Sequence, residues 1–192
     1  MPSPNPAALD FLLNRRSCPA RTLSLPVPDA AALRVILTAA ARSPDHGKLE
    51  PWRFIVLSKP ALTRLAALVA TRGAALGLEA ERIAKSVAQY AEADLVVAVV
   101  QVPRDTVKVP LSEQNYAVGG VCLALLNAAS AAGWGANWLT GWPAYDGAFL
   151  AEGLSLASVE SLAGLIHIGT ETSVPPDRPR PDIDKITRWV TA

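Results

Sequence analysis

No charged residue occurs between Gln114 and Tyr145, and a run of that length either lies inside a protein or crosses a bilayer. Composition decides against the bilayer. Much of the run is Ala and Gly, with Asn115, Asn127, Ser130 and Asn137 spread along it. Gly-Trp-Gly at 133–135 and Gly-Trp-Pro at 141–143 break any continuous helix. The pattern predicts a helix opened by Ser112 and Asn115 and running to about Ala132. Being apolar nearly all round, it is not an ordinary surface helix. It is either the central helix of a domain or one that packs against its counterpart in a dimer, since Gly119-Gly120 and the alanines allow close backbone approach.

The remaining 160 or so positions read as one domain around that helix, with no internal repeat. Pro6 to Asn14 forms a first helix ending at Arg15-Arg16. Asp29 caps a second, in which Leu33, Ile36, Leu37 and Ala40 share a face, and Pro44 stops it. A polar loop from Asp45 to Pro51 leads to a strand from Trp52 to Leu57. Ser58 with Pro60 starts another helix, and a further one spans Leu78 to Ala91. Leu95 to Val102 has no polar face, which predicts a strand covered on both sides. Strands at Ala136 to Leu139 and Ala163 to Ile168 follow, then a proline-rich tail from Val174 to Pro181 and a terminal helix from Ile183 to Val190. Helices and strands alternate without strict βαβ regularity, so helices should flank a mixed sheet.

Several function classes drop out. The formal net charge is +1, too small to draw nucleic acid or an acidic membrane. The sequence has neither a Rossmann fingerprint nor a Walker A loop, and neither HExxH nor a carboxylate-rich loop. The only histidines are His46 and His167, and neither sits in a hydrolytic triad pattern. Cys18 and Cys122 fit no CxxC or zinc spacing, and the N-terminus lacks the pattern of a signal peptide. A cytoplasmic protein with free thiols is the expectation.

Four segments carry possible chemistry. Arg15-Arg16-Ser17 gathers two guanidiniums and a hydroxyl for a dianionic phosphate, although a helix C-terminus favours solvated cations anyway. Arg42-Ser-Pro44-Asp45-His46-Gly-Lys-Leu-Glu-Pro-Trp52 holds a histidine in a rigid loop, where it serves a ligand or simply the surface. Trp134-Gly-Ala-Asn-Trp138-Leu139-Thr140-Gly141-Trp142 has tryptophans able either to wall a slot for a flat ring or to pack a core. Arg178-Pro-Arg180 lies in the proline-rich tail, as a site or as a solvated end.

Taken in order, these segments resemble the nitroreductase family, and most closely its small YdjA-like branch. The match covers most of the chain. The resemblance implies an α+β nitroreductase fold: a mixed, largely antiparallel central sheet flanked by helices as a three-layer α-β-α arrangement. Two chains would intertwine as a homodimer, with FMN at each side of the interface. It assigns Arg15, Arg16 and Ser17 to the flavin and its phosphate, and Trp138, Leu139, Thr140 and Gly141 to the strand end beside the isoalloxazine. Arg178 and Arg180 form the late basic pair, with Arg180 at the phosphate. Arg42 and His46 match the branch's arginine and histidine, and Pro44-Asp45-His46 would come from the partner chain. Two positions depart from the pattern. Glu50 stands where many relatives have Gln, and Thr140 where larger relatives have an acid.

The activity so implied is NAD(P)H-dependent reduction of a small nitroaromatic, quinone or related acceptor through FMN, in ping-pong fashion. NADH or NADPH is the donor, and no catalytic side chain or metal is required. The rivals are a flavin-dependent reductase of some other dedicated metabolite, oxygen-dependent chemistry included, a flavin-binding carrier or sensor without turnover, and a non-flavin protein whose apolar helix serves only dimerisation.

Overall fold

The computed structural model describes residues 3–191. In it the uncharged run becomes a helix, a stop and a strand. Helix α5 (Leu111–Ala131) is preceded by α1 (Pro6–Asn14), β1 (Leu23–Ser24), α2 (Ala30–Ala40), β2 (Trp52–Ser58), α3 (Lys59–Ala75), α4 (Ala80–Ala91) and β3 (Leu95–Gln101), with 3-10 turns at Ala20–Thr22 and His46–Lys48. After it come β4 (Gly135–Leu139), α6 (Gly147–Leu154), β5 (Ser161–Glu171) and α7 (Ile183–Ile186). Gly133, at φ 85°, ends α5, and Trp134 N–H turns back to the Ala129 carbonyl at 3.0 Å. No helix among the described residues is long and apolar enough to cross a membrane.

The sheet runs β1-β5-β3-β2, with β4 also on β5, and each of these pairings is antiparallel. Strand β3 shows why its sequence has no polar face. Val96, Ala98 and Val100 join one core with Leu62, Leu65 and Val69 of α3 and Phe149 of α6. Val97 and Val99 join a second core with Ile36 of α2 and Val121 and Leu125 of α5. Three layers follow from burying both faces of one strand.

Asp29 caps α2 as expected, accepting from Ala32 N–H at 2.8 Å. Other boundaries moved. Helix α2 ends at Ala40, and its last turn tightens before Pro44, with the Arg42 and Ser43 N–H groups on the Ala39 and Ala40 carbonyls, both at 3.2 Å. Gly77, at φ 64°, closes α3 with Leu78 N–H on the Gly73 carbonyl, so α4 starts at Ala80 and not at Leu78. Strand β5 extends to Glu171 because β1 pairs with its end. The terminal helix stops at Ile186 instead of Val190: Thr187 is extended, and Trp189 and Val190 are exposed. Helix α6 was not anticipated. Only eight residues long and with glycine at Gly147 and Gly153, it depends on its Asp146 cap and on packing to α3.

Candidate functional site

Strand β4 builds the floor of the site by its alternation. Asn137 lies opposite His167 and Leu139 opposite Leu165, on the face that carries the α3–α6 core. Ala136 and Trp138 point the other way. The Trp138 indole covers Gly164, where a Cβ would come within 2.0 Å of it, and donates to the Ala163 carbonyl at 3.2 Å. Trp138 therefore packs the back of the sheet, while Trp142, after the strand, takes the slot-lining role expected of the tryptophans.

The chain after α1 is stitched to β4. Cys18 N–H donates to the Ala136 carbonyl at 3.0 Å, and the Asn137 amide donates back to the Cys18 carbonyl. Gly135 permits the approach, since a Cβ there would lie 2.6 Å from the Leu23 side chain. Burial, with Glu171 alongside, pushes the Cys18 thiol up to about 11, so it stays protonated at neutral pH and is a poor nucleophile.

This stitching brings two distant basic segments to one cleft of about 500 Å³. Arg15, Arg16 and Ser17 line one side, Arg178 and Arg180 another, with Asn137 and Leu139 as floor. Its lining contains no carboxylate. Arg15 donates to Ser17 Oγ at 3.1 Å, while its buried Nε has no partner among the described residues. Arg16 donates to the Pro175 carbonyl at 2.8 Å and so pins the proline-rich tail over the cleft. Arg180 makes only a 3.5 Å contact with Asp177.

A second cleft, of about 620 Å³, shares Arg21 and Leu139 with the first. Thr140, Gly141 and Trp142 form one wall, and Arg82, Lys85, Ser86 and Gln89 of α4 the other. Gly141 has φ 143°, a conformation suited to glycine, at the turn that leads away from β4. The Gln89 amide donates to the Thr140 carbonyl at 3.3 Å, fixing α4 against the strand end. His167 lies at the bottom, 3% exposed with Nε2 unpartnered among the described residues, and burial lowers its pKa to about 4, keeping the ring neutral. Arg21, Arg82, Lys85, Gln89, Asn137 and His167 were missed as site residues. The spacing of 82, 85, 86 and 89 on one helical face was the signal available for α4.

The remaining expected residues sit elsewhere in the same chain. Pro44, Asp45 and His46 line a third, shallow cleft with Glu113, Tyr116, Ala117 and Gly120 of α5, and Arg42 is exposed outside all three clefts. His46 Nδ1 meets Glu113 Oε2 at 2.7 Å. The Asp45 carboxylate accepts from Leu49 N–H at 2.5 Å and Glu50 N–H at 3.0 Å, and the Arg104 guanidinium holds the Leu49 and Glu50 carbonyls at 3.1 Å. These bonds restrain Lys48 at φ 54° and Glu50 at φ 49°, left-handed conformations that side chains other than glycine seldom adopt.

Comparison with known proteins identifies the family. The family model described as "Nitroreductase family" matches residues 12–170. The chain is 31% identical over 163 residues to YdjA of Escherichia coli K12, whose name marks it as a candidate NAD(P)H nitroreductase; the match covers 85% of this chain and 87% of that one. Among solved structures, a nitroreductase-like family protein from Bacillus cereus superposes with a TM-score of 0.79 at 20% identity, over 99% of this chain and 98% of its own. A nitroreductase-type protein from Desulfovibrio desulfuricans in complex with FMN gives 0.75 at 22% identity, covering 99% of this chain and 100% of that one. The chain belongs to the nitroreductase family.

Proposed function

We propose that this protein is an FMN-dependent NAD(P)H oxidoreductase that reduces nitroaromatic, quinone or related small acceptors. In this reading all 192 residues serve one domain, and two chains intertwine as a cytoplasmic homodimer. The observation that carries it is the arginine cleft, with no carboxylate in its lining and a buried, unpartnered Arg15 Nε. Open guanidinium forks match a phosphate dianion, and the adjoining cleft offers Leu139, Trp142 and the turn at Gly141 for a flat ring to lie against.

Bound FMN supplies a ring that takes electrons from a nicotinamide and passes them to the acceptor. The chain's own work is placement. Arg15, Arg16, Ser17, Arg178 and Arg180 hold the phosphate end. The main chain at Leu139, Thr140 and Gly141 holds the ring's polar edge, with Trp138 bracing that strand from behind. Donor and acceptor use one slot in turn, which gives ping-pong kinetics.

The dimer reading rests on surfaces that one chain leaves open. Helix α1 has no buried residue, and Leu9, Leu12 and Leu13 are exposed, although nine residues are too few for a stable isolated helix. Ile183, Ile186, Trp189 and Val190 at the other end, and Tyr116 and Leu123 on α5, are exposed as well. A second copy covering them would bring the partner chain's loop of Arg42, Pro44, Asp45 and His46 to the flavin.

The test is the absorbance spectrum of the purified protein under anaerobic titration with NADH and NADPH. A yellow protein that bleaches and recovers its colour when acceptor is added is expected. Bound FMN that stays oxidised under both nicotinamides would instead make the protein a carrier or sensor.

A further inference from the structure

We infer that the α4 cleft contains a second anion-holding subsite, formed by Arg21, Arg82 and Lys85. The molecule that shares the flavin slot is then a flat ring bearing a phosphate or carboxylate. The inference rests on the FMN reading and adds the substrate's charge to it.

Three observations carry it. Arg82 and Lys85 stand one helical turn apart on the α4 face that lines the cleft, and Arg21 reaches the same space from the turn after α1. Among the described residues none of the three has a carboxylate within 4.0 Å, so the cleft holds three uncompensated cations. Finally, the cations exceed what FMN needs. A phosphate monoester carries about two negative charges at neutral pH, and Arg15, Arg16, Arg178 and Arg180 already surround that end.

The rest of the cleft keeps this charge uncompensated and in place. Glu92 is the only carboxylate in its lining, and His167 beneath is neutral. The Gln89 bond to the Thr140 carbonyl holds α4 beside the strand end, so Arg82 and Lys85 overlook the slot from a fixed helix. Charges on such a rim act over a Debye length of about 8 Å at physiological salt, enough to reach a substituent on a ring in the cleft but not the bulk solution.

The experiment uses the FMN-loaded protein and reads ligand binding from perturbation of the flavin spectrum. 4-Nitrobenzoate is compared with neutral nitrobenzene, and oxidised NADP with neutral nicotinamide, in wild type and in Arg82→Gln/Lys85→Gln. A preference of about tenfold for the anion in either pair is expected at low salt. In the double variant it should collapse while FMN affinity stays within about twofold. Preference in the benzoate pair assigns the anion to the acceptor, and in the NADP pair to the donor. Equal binding of anionic and neutral ligands, or a preference that survives in the variant, overturns the inference. So does a variant that loses FMN affinity or shifts the flavin potential with the anion preference intact, because the cations then serve the flavin itself. A chain that takes up no FMN at all sinks the parent reading, and this one with it.

Discussion

Two populations of arginines differ in what completes them. Arg53 places Nε and Nη2 on the two Glu160 oxygens, both at 2.7 Å, and Arg72 does the same to Asp146 at 2.7 and 3.1 Å. A carboxylate matched this way saturates the guanidinium fork. Arg15, Arg16, Arg178 and Arg180 crowd one cleft with a hydroxyl, a carbonyl and a distant Asp177 as their protein partners. The first population is saturated within the fold, and in the proposed function the second is left for the phosphate of FMN.

The largest expected effect breaks the open population. Arg15→Ala with Arg180→Ala removes charge-assisted bonds from the phosphate end and should weaken FMN binding about a hundredfold or more, measured by quenching of flavin fluorescence. Retained affinity in the double variant would rule out this placement. The same variant should melt no lower than wild type without flavin, because it relieves repulsion among uncompensated cations. Inorganic phosphate should raise the melting temperature of wild type more than that of the variant.

The closed population should behave the other way round. Asp146 both receives Arg72 and caps α6 at Phe149 N–H, 3.3 Å away, and Arg72 holds its carboxyl below the usual range. Asp146→Ala should lower the melting temperature, with the lost cap alone costing about 1 kcal/mol, and should leave FMN affinity unchanged. A loss of flavin without a loss of stability would put Asp146 in the wrong population.

How much of this was legible in the sequence follows the same division. Arg15-Arg16-Ser17 and Arg178-Pro-Arg180 are local clusters, so their chemistry could be read before their proximity was known. The unbroken apolar run of β3 and the Asp29 cap of α2 were equally local, and both appear where expected. What failed to show was anything set by register. Asn137 reaches the cleft floor, and Trp138 does not, because β4 pairs Asn137 with His167; a shift of one residue would exchange them. Arg82 and Lys85 look like ordinary charges on an amphipathic helix until Gln89 docks that helix against Thr140. The loop at His46 carries bonds that explain its shape, yet within one chain it faces α5 and not the arginine cleft.

The smallest expected effect lies in the acid limb of stability. The Arg53 guanidinium and the Ala157 N–H, at 2.9 Å, hold the Glu160 carboxyl down at about 2, against an ordinary value of 4.5. A carboxyl that is more acidic in the folded chain than in the unfolded one stabilises the fold fully above its unfolded value and loses that contribution as pH falls through its folded one. The advantage of wild type over Glu160→Gln should therefore be complete above pH 4.5 and fade as the pH drops toward 2. Its size should be modest, because the Arg53 side chain is 38% exposed and water screens the pair. Thermal melts of both proteins across that range test it. Parallel melting curves would mean that the pair is already screened to nothing, and that bidentate geometry alone does not separate a folding arginine from a binding one.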